Sequence, residues 1–206
     1  MISIVNYGMG NIASVCNMLR KAGAAAEVIE TPAALEEARA IVLPGVGAFD
    51  EAVASLQRSG LWTGLERIVR EGKVPLLGIC LGMQLLLDGS EEGVRSGLGA
   101  IPGRCRRFRF GEAERRLKVP HMGWSEIAVV RPHPLLEGLP AESRFYFVHS
   151  YYVECTDPDN VIATARYGND FAAVVGGGKV LGAQFHPEKS HLFGLRVLGN
   201  FARLAS

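Results

Sequence analysis

The chain has 206 residues, 48% of them apolar, with 22 Lys+Arg against 21 Asp+Glu for a formal net charge of +1. That composition excludes a disordered chain and provides no global field to steer it to nucleic acid or a membrane surface. No apolar stretch reaches the roughly 18–20 residues of a membrane helix, and no basic leader precedes the first strand-like segment, so a cytoplasmic protein is expected.

In chain order, Ile2–Val5 reads as a buried strand, and Ile12, Val15, Cys16 and Leu19 recur at helical spacing. Glu27–Ile29, Ile41–Leu43 and Val74–Ile79 read as further strands. Helical patterns over Ala33–Arg39, Ala48–Arg58 and Trp62–Glu71 separate them, which predicts a parallel sheet with crossover helices. Leu81–Asp88 reads as a helix. The second half reads as strands at Arg104–Phe110, Ile127–Val130, Arg144–Val153, Val161–Arg166, Phe171–Val175 and Lys179–Phe185. These are expected to be antiparallel and added to one side of the core. A last helix carries Phe193, Val197, Phe201 and Leu204, with Ser190 as its expected N-cap. No linker is visible, so one α/β domain over residues 1–206 is expected.

The four cysteines, Cys16, Cys80, Cys105 and Cys155, are far apart and form no Cys-x-x-Cys. Neither a disulfide framework nor a metal site is expected. Cys80 ends the Val74–Ile79 run and precedes a helix, with Gly78 and Gly82 two residues away on each side. A tight strand-to-helix turn needs small residues there and exposes its central side chain at the C-terminal edge of the sheet. A thiolate at a helix start is stabilised by free N–H groups, and the same groups stabilise an oxyanion. From these residues alone two readings stay open: a nucleophile, or an inert thiol buried in a glycine turn.

A cysteine hydrolase needs a base and a group to orient it. His186 and Glu188, in Gln184-Phe185-His186-Pro187-Glu188, stand at i and i+2 and face the same way in extended backbone. Glu188 could then hold one imidazole nitrogen while the other faces Cys80. A surface turn is the alternative. Arg104, Arg106, Arg107, Arg109, Arg115, Arg116 and Lys118 form a basic run, but Glu112 and Glu114 interrupt it and only Phe108 and Phe110 could stack, so it reads as a solvated face.

Gly78-Ile79-Cys80-Leu81-Gly82-Met83-Gln84, followed by Phe185-His186-Pro187-Glu188, resembles the class I glutamine amidotransferases. The resemblance implies a flavodoxin-like three-layer fold with a mostly parallel sheet and an antiparallel extension. It implies that Cys80 attacks the glutamine side-chain amide and forms a glutamyl thioester, with His186 as base and acid and Glu188 as orienter. Asn6-Tyr7-Gly8-Met9-Gly10-Asn11, Pro44-Gly45-Val46-Gly47, His121-Met122-Gly123-Trp124, Phe147–Tyr152 and Lys189-Ser190 extend the likeness to glutaminase subunits of imidazole glycerol phosphate synthases. That implies oxyanion donors at Leu81 and at Val46–Gly47, and substrate contacts from Gly45, Gln84, Glu92, Ser150 and Tyr151. It also implies a partner, a (β/α)8-barrel cyclase subunit that receives the ammonia in histidine biosynthesis, with Tyr7, Asn11, Trp124 and Lys189 as candidate contacts. No cofactor is expected. A cysteine peptidase and a non-catalytic interaction module are the competing classes.

Overall fold

The computed structural model describes residues 1–205; Ser206, inside the expected span 1–206, and the Ala113 side chain lie outside the described residues. The first half alternates as the sequence predicts: β1 (Ile2–Val5), α1 (Ile12–Lys21), β2 (Ala26–Ile29), α2 (Pro32–Glu36), β3 (Ile41–Gly45), α3 (Phe49–Arg58), α4 (Leu61–Glu71) and β4 (Leu76–Cys80). A short α5 (Leu81–Leu85) follows. The second half contains β5 (Gly89–Ser90), β6 (Gly103–Arg107), β7 (His121–Val129), β8 (Arg144–His149), β9 (Tyr151–Cys155), β10 (Val161–Tyr167), β11 (Asn169–Gly177), β12 (Val180–Ala183) and α6 (His191–Leu204).

The strands join one sheet in the order β2-β1-β3-β4-β12-β11-β10-β7-β8, with β9 pairing β11 and β6, and β6 pairing β5. Side-chain alternation fills both faces. Ile2 and Ile4 of β1, Val42 of β3 and Leu77 and Ile79 of β4 pack with α1 and α6. Val5, Ile41, Leu43 and Leu76 pack the other way, against α2, α3 and α4. The expected three-layer arrangement with a parallel core and an antiparallel extension is therefore observed. No described helix is long and apolar enough to cross a membrane.

Four local expectations need correction. First, β12 is not part of the antiparallel addition on its β4 side: it runs parallel to β4, in register Ala183↔Ile79, and antiparallel to β11. It is the boundary strand, and it brings the chain after Ala183 to the same sheet edge as Cys80. Second, the helix after Cys80 stops at Leu85 rather than Asp88. The 97–101 loop takes its last carbonyls, with N–H groups of Leu98, Ile101 and Gly99 bonded to Leu85, Leu86 and Leu87. Third, Arg144–Val153 is two strands that break at Ser150. The first pairs with β7 and the second with β6, so the chain changes neighbours at that residue. Fourth, the helix expected over Ala33–Arg39 spans only Pro32–Glu36, with Thr31 capping it through a bond to the Ala34 N–H.

Candidate active site

The turn between β4 and α5 is shaped by contact rather than by flexibility. A Cβ on Gly82 would stand 1.8 Å from the Leu43 carbonyl oxygen, and one on Gly78 2.6 Å from the Gly82 oxygen. Cys80 takes φ 53°, ψ −108°, a backbone conformation rarely adopted outside glycine. The turn thus aims a buried but cavity-lining thiol at the sheet edge. Cys80 pairs in register with Gly45, so the end of β3 lies alongside it.

A cavity of about 280 Å³ opens over this turn. Cys80, Leu81, Val46, Gly47, Gln84, Glu92, Ser150, Tyr151 and His186 all line it, so nine of the residues singled out from sequence meet in one place. Gly45 lies beneath, with the Tyr7 hydroxyl 2.4 Å from where its Cβ would be. Leu81 opens α5, and the first N–H groups of a helix have no helical acceptor. Gly47 has φ +107°, and Val46 beside it is 43% exposed. Glu92 accepts from the Phe49 N–H at 2.9 Å. Its neighbour Glu91 turns away and pairs with Arg106 and Arg109 of the basic run. A larger cavity, about 660 Å³, is lined by residues such as Ile127, Leu139 and Arg166 and includes neither cysteine nor histidine.

Behind the cavity, His186 Nδ1 meets Glu188 Oε1 at 2.7 Å, and both side chains are 2% exposed. The expected contact forms, though not through extended backbone: Pro187–Lys189 is a turn of 3-10 helix. Nε2 of His186 is buried and makes no hydrogen bond. Burial pulls the imidazole pKa down, but the Cys80 thiol and the Glu188 carboxylate outweigh it and push it up to about 10. Burial drives the Cys105 thiol well above its ordinary range and Cys155 up to about 11, so both stay protonated at neutral pH.

Ser190 occupies the N-cap position of α6 without a capping bond. Its hydroxyl instead donates to the His186 carbonyl at 2.6 Å and accepts from the Tyr146 N–H at 3.0 Å. The His186 N–H in turn bonds the Tyr146 carbonyl at 2.9 Å. These bonds tie the histidine backbone to β8, a positioning role that a capping rule does not reveal.

Of the expected surface contacts, Asn11 and Lys189 are exposed and Trp124 is 46% exposed, stacked on His191 at 5.2 Å. Tyr7 is a correction. It is 4% exposed and belongs to the core cluster that holds Leu43, Phe49 and Leu81, with its hydroxyl lodged in the space a Gly45 side chain would take.

Three cavity residues were not singled out: Pro120, Val148 and His149. His149 shares a strand face with Phe145 and Phe147, a period-two signal that reads equally well as core. Burial pushes His149 down to about 3 and His121 to about 4. His121 Nδ1 meets His149 Nε2 at 3.2 Å. Below the unfolded value near 6.5 the unfolded chain binds protons that these folded imidazoles refuse, so stability is lost as pH falls from about 6.5 toward 4. His121→Phe keeps a ring against Tyr167, now 4.1 Å away, and removes one proton site. Urea unfolding at pH 7 and pH 4.5 is expected to show a stability difference smaller by about 2 kcal/mol in this variant. An unchanged difference would show that His121 does not titrate there.

Residues 3–203 match the family "Glutamine amidotransferase class-I". The chain is 47% identical over 204 residues to imidazole glycerol phosphate synthase subunit HisH of Bdellovibrio bacteriovorus, covering 99% of this chain and 100% of that protein. It is 43% identical over 204 residues to the HisH subunit of Leptospira interrogans, with coverage of 99% and 100%. A solved glutamine amidotransferase superposes with TM-score 0.75 at 23% identity, covering 100% of this chain and 99% of that one. The structure of PurLQS from Thermotoga maritima superposes with TM-score 0.72 at 19% identity, covering 99% and 95%. The elbow at the edge of a parallel sheet, the full-length match and these relatives agree: the chain belongs to the class-I glutamine amidotransferases and, within them, to the HisH subunits of imidazole glycerol phosphate synthase.

Proposed function

We propose that the chain hydrolyses glutamine to glutamate and ammonia through Cys80, His186 and Glu188. The observation that carries this is the buried His186 imidazole, held at Nδ1 by Glu188 with Nε2 unpartnered at the wall of the Cys80 cavity. Cys80 loses its proton to His186 Nε2 and attacks the amide carbon. His186 returns that proton to the leaving nitrogen, and ammonia departs from a glutamyl thioester. His186 then takes a proton from a water as its oxygen bonds the thioester carbon; the C–S bond breaks, glutamate leaves, and the proton returns from His186 to the Cys80 sulfur. Leu81 and the Val46–Gly47 peptide donate to the oxyanion. Gln84, Glu92, Ser150 and Tyr151 hold the amino-acid end of the substrate. Both N–H groups of Gln84 are already engaged, so its carbonyl oxygen is the group it can offer a substrate ammonium. A cavity of about 280 Å³ suits one amino acid better than the extended groove a peptidase requires.

The ammonia passes to a cyclase subunit, a (β/α)8 barrel, in a cytoplasmic heterodimer. That partner makes imidazole glycerol phosphate and an aminoimidazole carboxamide ribotide from an open-chain ribulosyl precursor. Channelling protects the product, since ammonia released to neutral water is mostly protonated. Asn11, Trp124 and Lys189 are the exposed candidates for the contact.

A glutaminase assay with and without the barrel subunit and its ribotide ligand tests the scheme. Low turnover by the chain alone and a large increase with both are expected. In this reading the partner completes the oxyanion hole at the Val46–Gly47 peptide, and high turnover by the isolated chain would contradict that. Turnover of a peptide but not of glutamine would overturn the whole reading.

A further inference from the structure

Two buried glutamines link the Tyr151 carbonyl to the Cys80 sulfur. Gln84, on α5, is 5% exposed, and Gln184, just past β12, is fully buried. Their partners fix which way each amide points. The Tyr151 carbonyl can only accept, so the Gln84 group facing it at 3.0 Å is the NH2. The other N–H of that group reaches Gln184 at 3.2 Å, which must therefore present its carbonyl oxygen. One orientation then remains for Gln184: its own NH2 faces Cys80 Sγ, at 3.8 Å.

The Tyr151 carbonyl has a second donor as well. It accepts from His149 Nδ1 at 2.8 Å, so His149 Nε2 accepts from His121 Nδ1 at 3.2 Å. His121 Nε2 then accepts from Ser125 Oγ at 3.0 Å. Every bond in this network has one permitted direction, and the glutamine branch ends on the sulfur. For packing alone a methionine or leucine would fill the Gln184 position without the cost of burying an amide.

We propose that Gln184 is a catalytic residue of the glutaminase reaction: its side-chain N–H donates to Cys80 sulfur once the thiol has lost its proton, and Tyr151 carbonyl, acting through Gln84, keeps that N–H aimed. The inference rests on Cys80 being the nucleophile. No covalent bond to Gln184 forms or breaks; the thiol proton goes to His186 Nε2. In the neutral thiol the S–H faces the Val148 carbonyl at 3.9 Å, which offers a thiolate nothing, whereas an N–H donor to an ionised acceptor is roughly twice as strong as to a neutral one. Gln84 is a positioning residue in this scheme.

The test follows alkylation of Cys80 in the full chain by iodoacetamide from pH 6 to 9, resolved by peptide mass spectrometry from the other three thiols. Iodoacetamide has neither α-amino nor carboxylate group, so loss of a substrate clamp does not affect it. Gln184→Met is expected to react about tenfold more slowly at pH 7, with its profile moved to higher pH, as loss of one charge-assisted hydrogen bond requires. Gln84→Met is expected to slow it about threefold, because Gln184 loses its aim. The double variant should be no slower than Gln184→Met. A folded Gln184→Met chain with the wild-type rate and profile overturns the proposal, and independent, additive losses overturn the relay. Should Gln184→Met fail to fold, Gln84→Met decides, and an unchanged rate there overturns it. A glutamine-analogue diazoketone applied to the wild-type complex keeps the two readings apart: if it misses Cys80, the nucleophile assignment fails whatever Gln184 does.

Discussion

Cys80→Ala is expected to lower glutamine turnover by about 10⁴-fold or more in the presence of the partner subunit, because removal of a covalent nucleophile leaves only binding and oxyanion stabilisation. Ammonia release measured by a coupled assay reads this directly, and residual activity within tenfold of wild type would place the nucleophile elsewhere. The stability of the same position is expected to behave in an unusual order. Alanine normally exceeds glycine by up to about 1 kcal/mol in ordered structure. At φ 53°, ψ −108° a side chain is held at a cost of about 1–3 kcal/mol, which glycine avoids. Cys80→Gly should therefore be at least as stable as Cys80→Ala in urea unfolding, while equally inactive. A clear excess of stability in the alanine variant would mean that the elbow carries no strain.

Gly82→Ala is expected to be severely destabilising, because the methyl group it adds has no room beside β3. The added Cβ would stand 1.8 Å from the Leu43 oxygen and 2.8 Å from the Leu43 carbonyl carbon. Both atoms belong to β3, whose partner in the sheet is β4 itself, so neither can retreat without opening the β3–β4 ladder. The expected loss is about 3 kcal/mol or more, the range of severe overpacking, together with loss of glutaminase activity. Denaturant midpoints and the turnover assay together check it. A variant with wild-type stability would show that α5 can shift away from the sheet.

The elbow was legible because its signals are local. A buried strand, a cysteine and two flanking glycines occupy consecutive positions, and the close approaches at Gly78 and Gly82 are the contacts such glycines imply. His186 and Glu188 were legible as a pair for a similar reason, although the turn that joins them is 3-10 rather than extended. What stayed hidden depends on distant partners. The strand pattern of Val180–Ala183 cannot say which neighbour is parallel. Nor can the apolar run Leu85–Leu87 announce that the 97–101 loop will take its carbonyls. Alternation in Arg144–Val153 carries no mark of the change of neighbours at Ser150. His149 and Gln184 sit in motifs that were noticed, but their partners, His121 and Gln84, come from other elements, and the bonds rather than the residue types define them.

The boundary strand β12 also sets a timetable. Cys80 and His186 stand roughly 100 residues apart in the chain, and they meet only after β12 has paired with β4. During synthesis at about 5–20 residues per second, the thiol precedes its base by about 5–20 s. Through that interval the cysteine has neither His186 nor Glu188 beside it, and under the proposed mechanism the newborn chain has no means of spending glutamine. On the proposed mechanism, hydrolysis can begin only once β12 and the turn that carries His186 and Glu188 have been made and β12 has paired with β4.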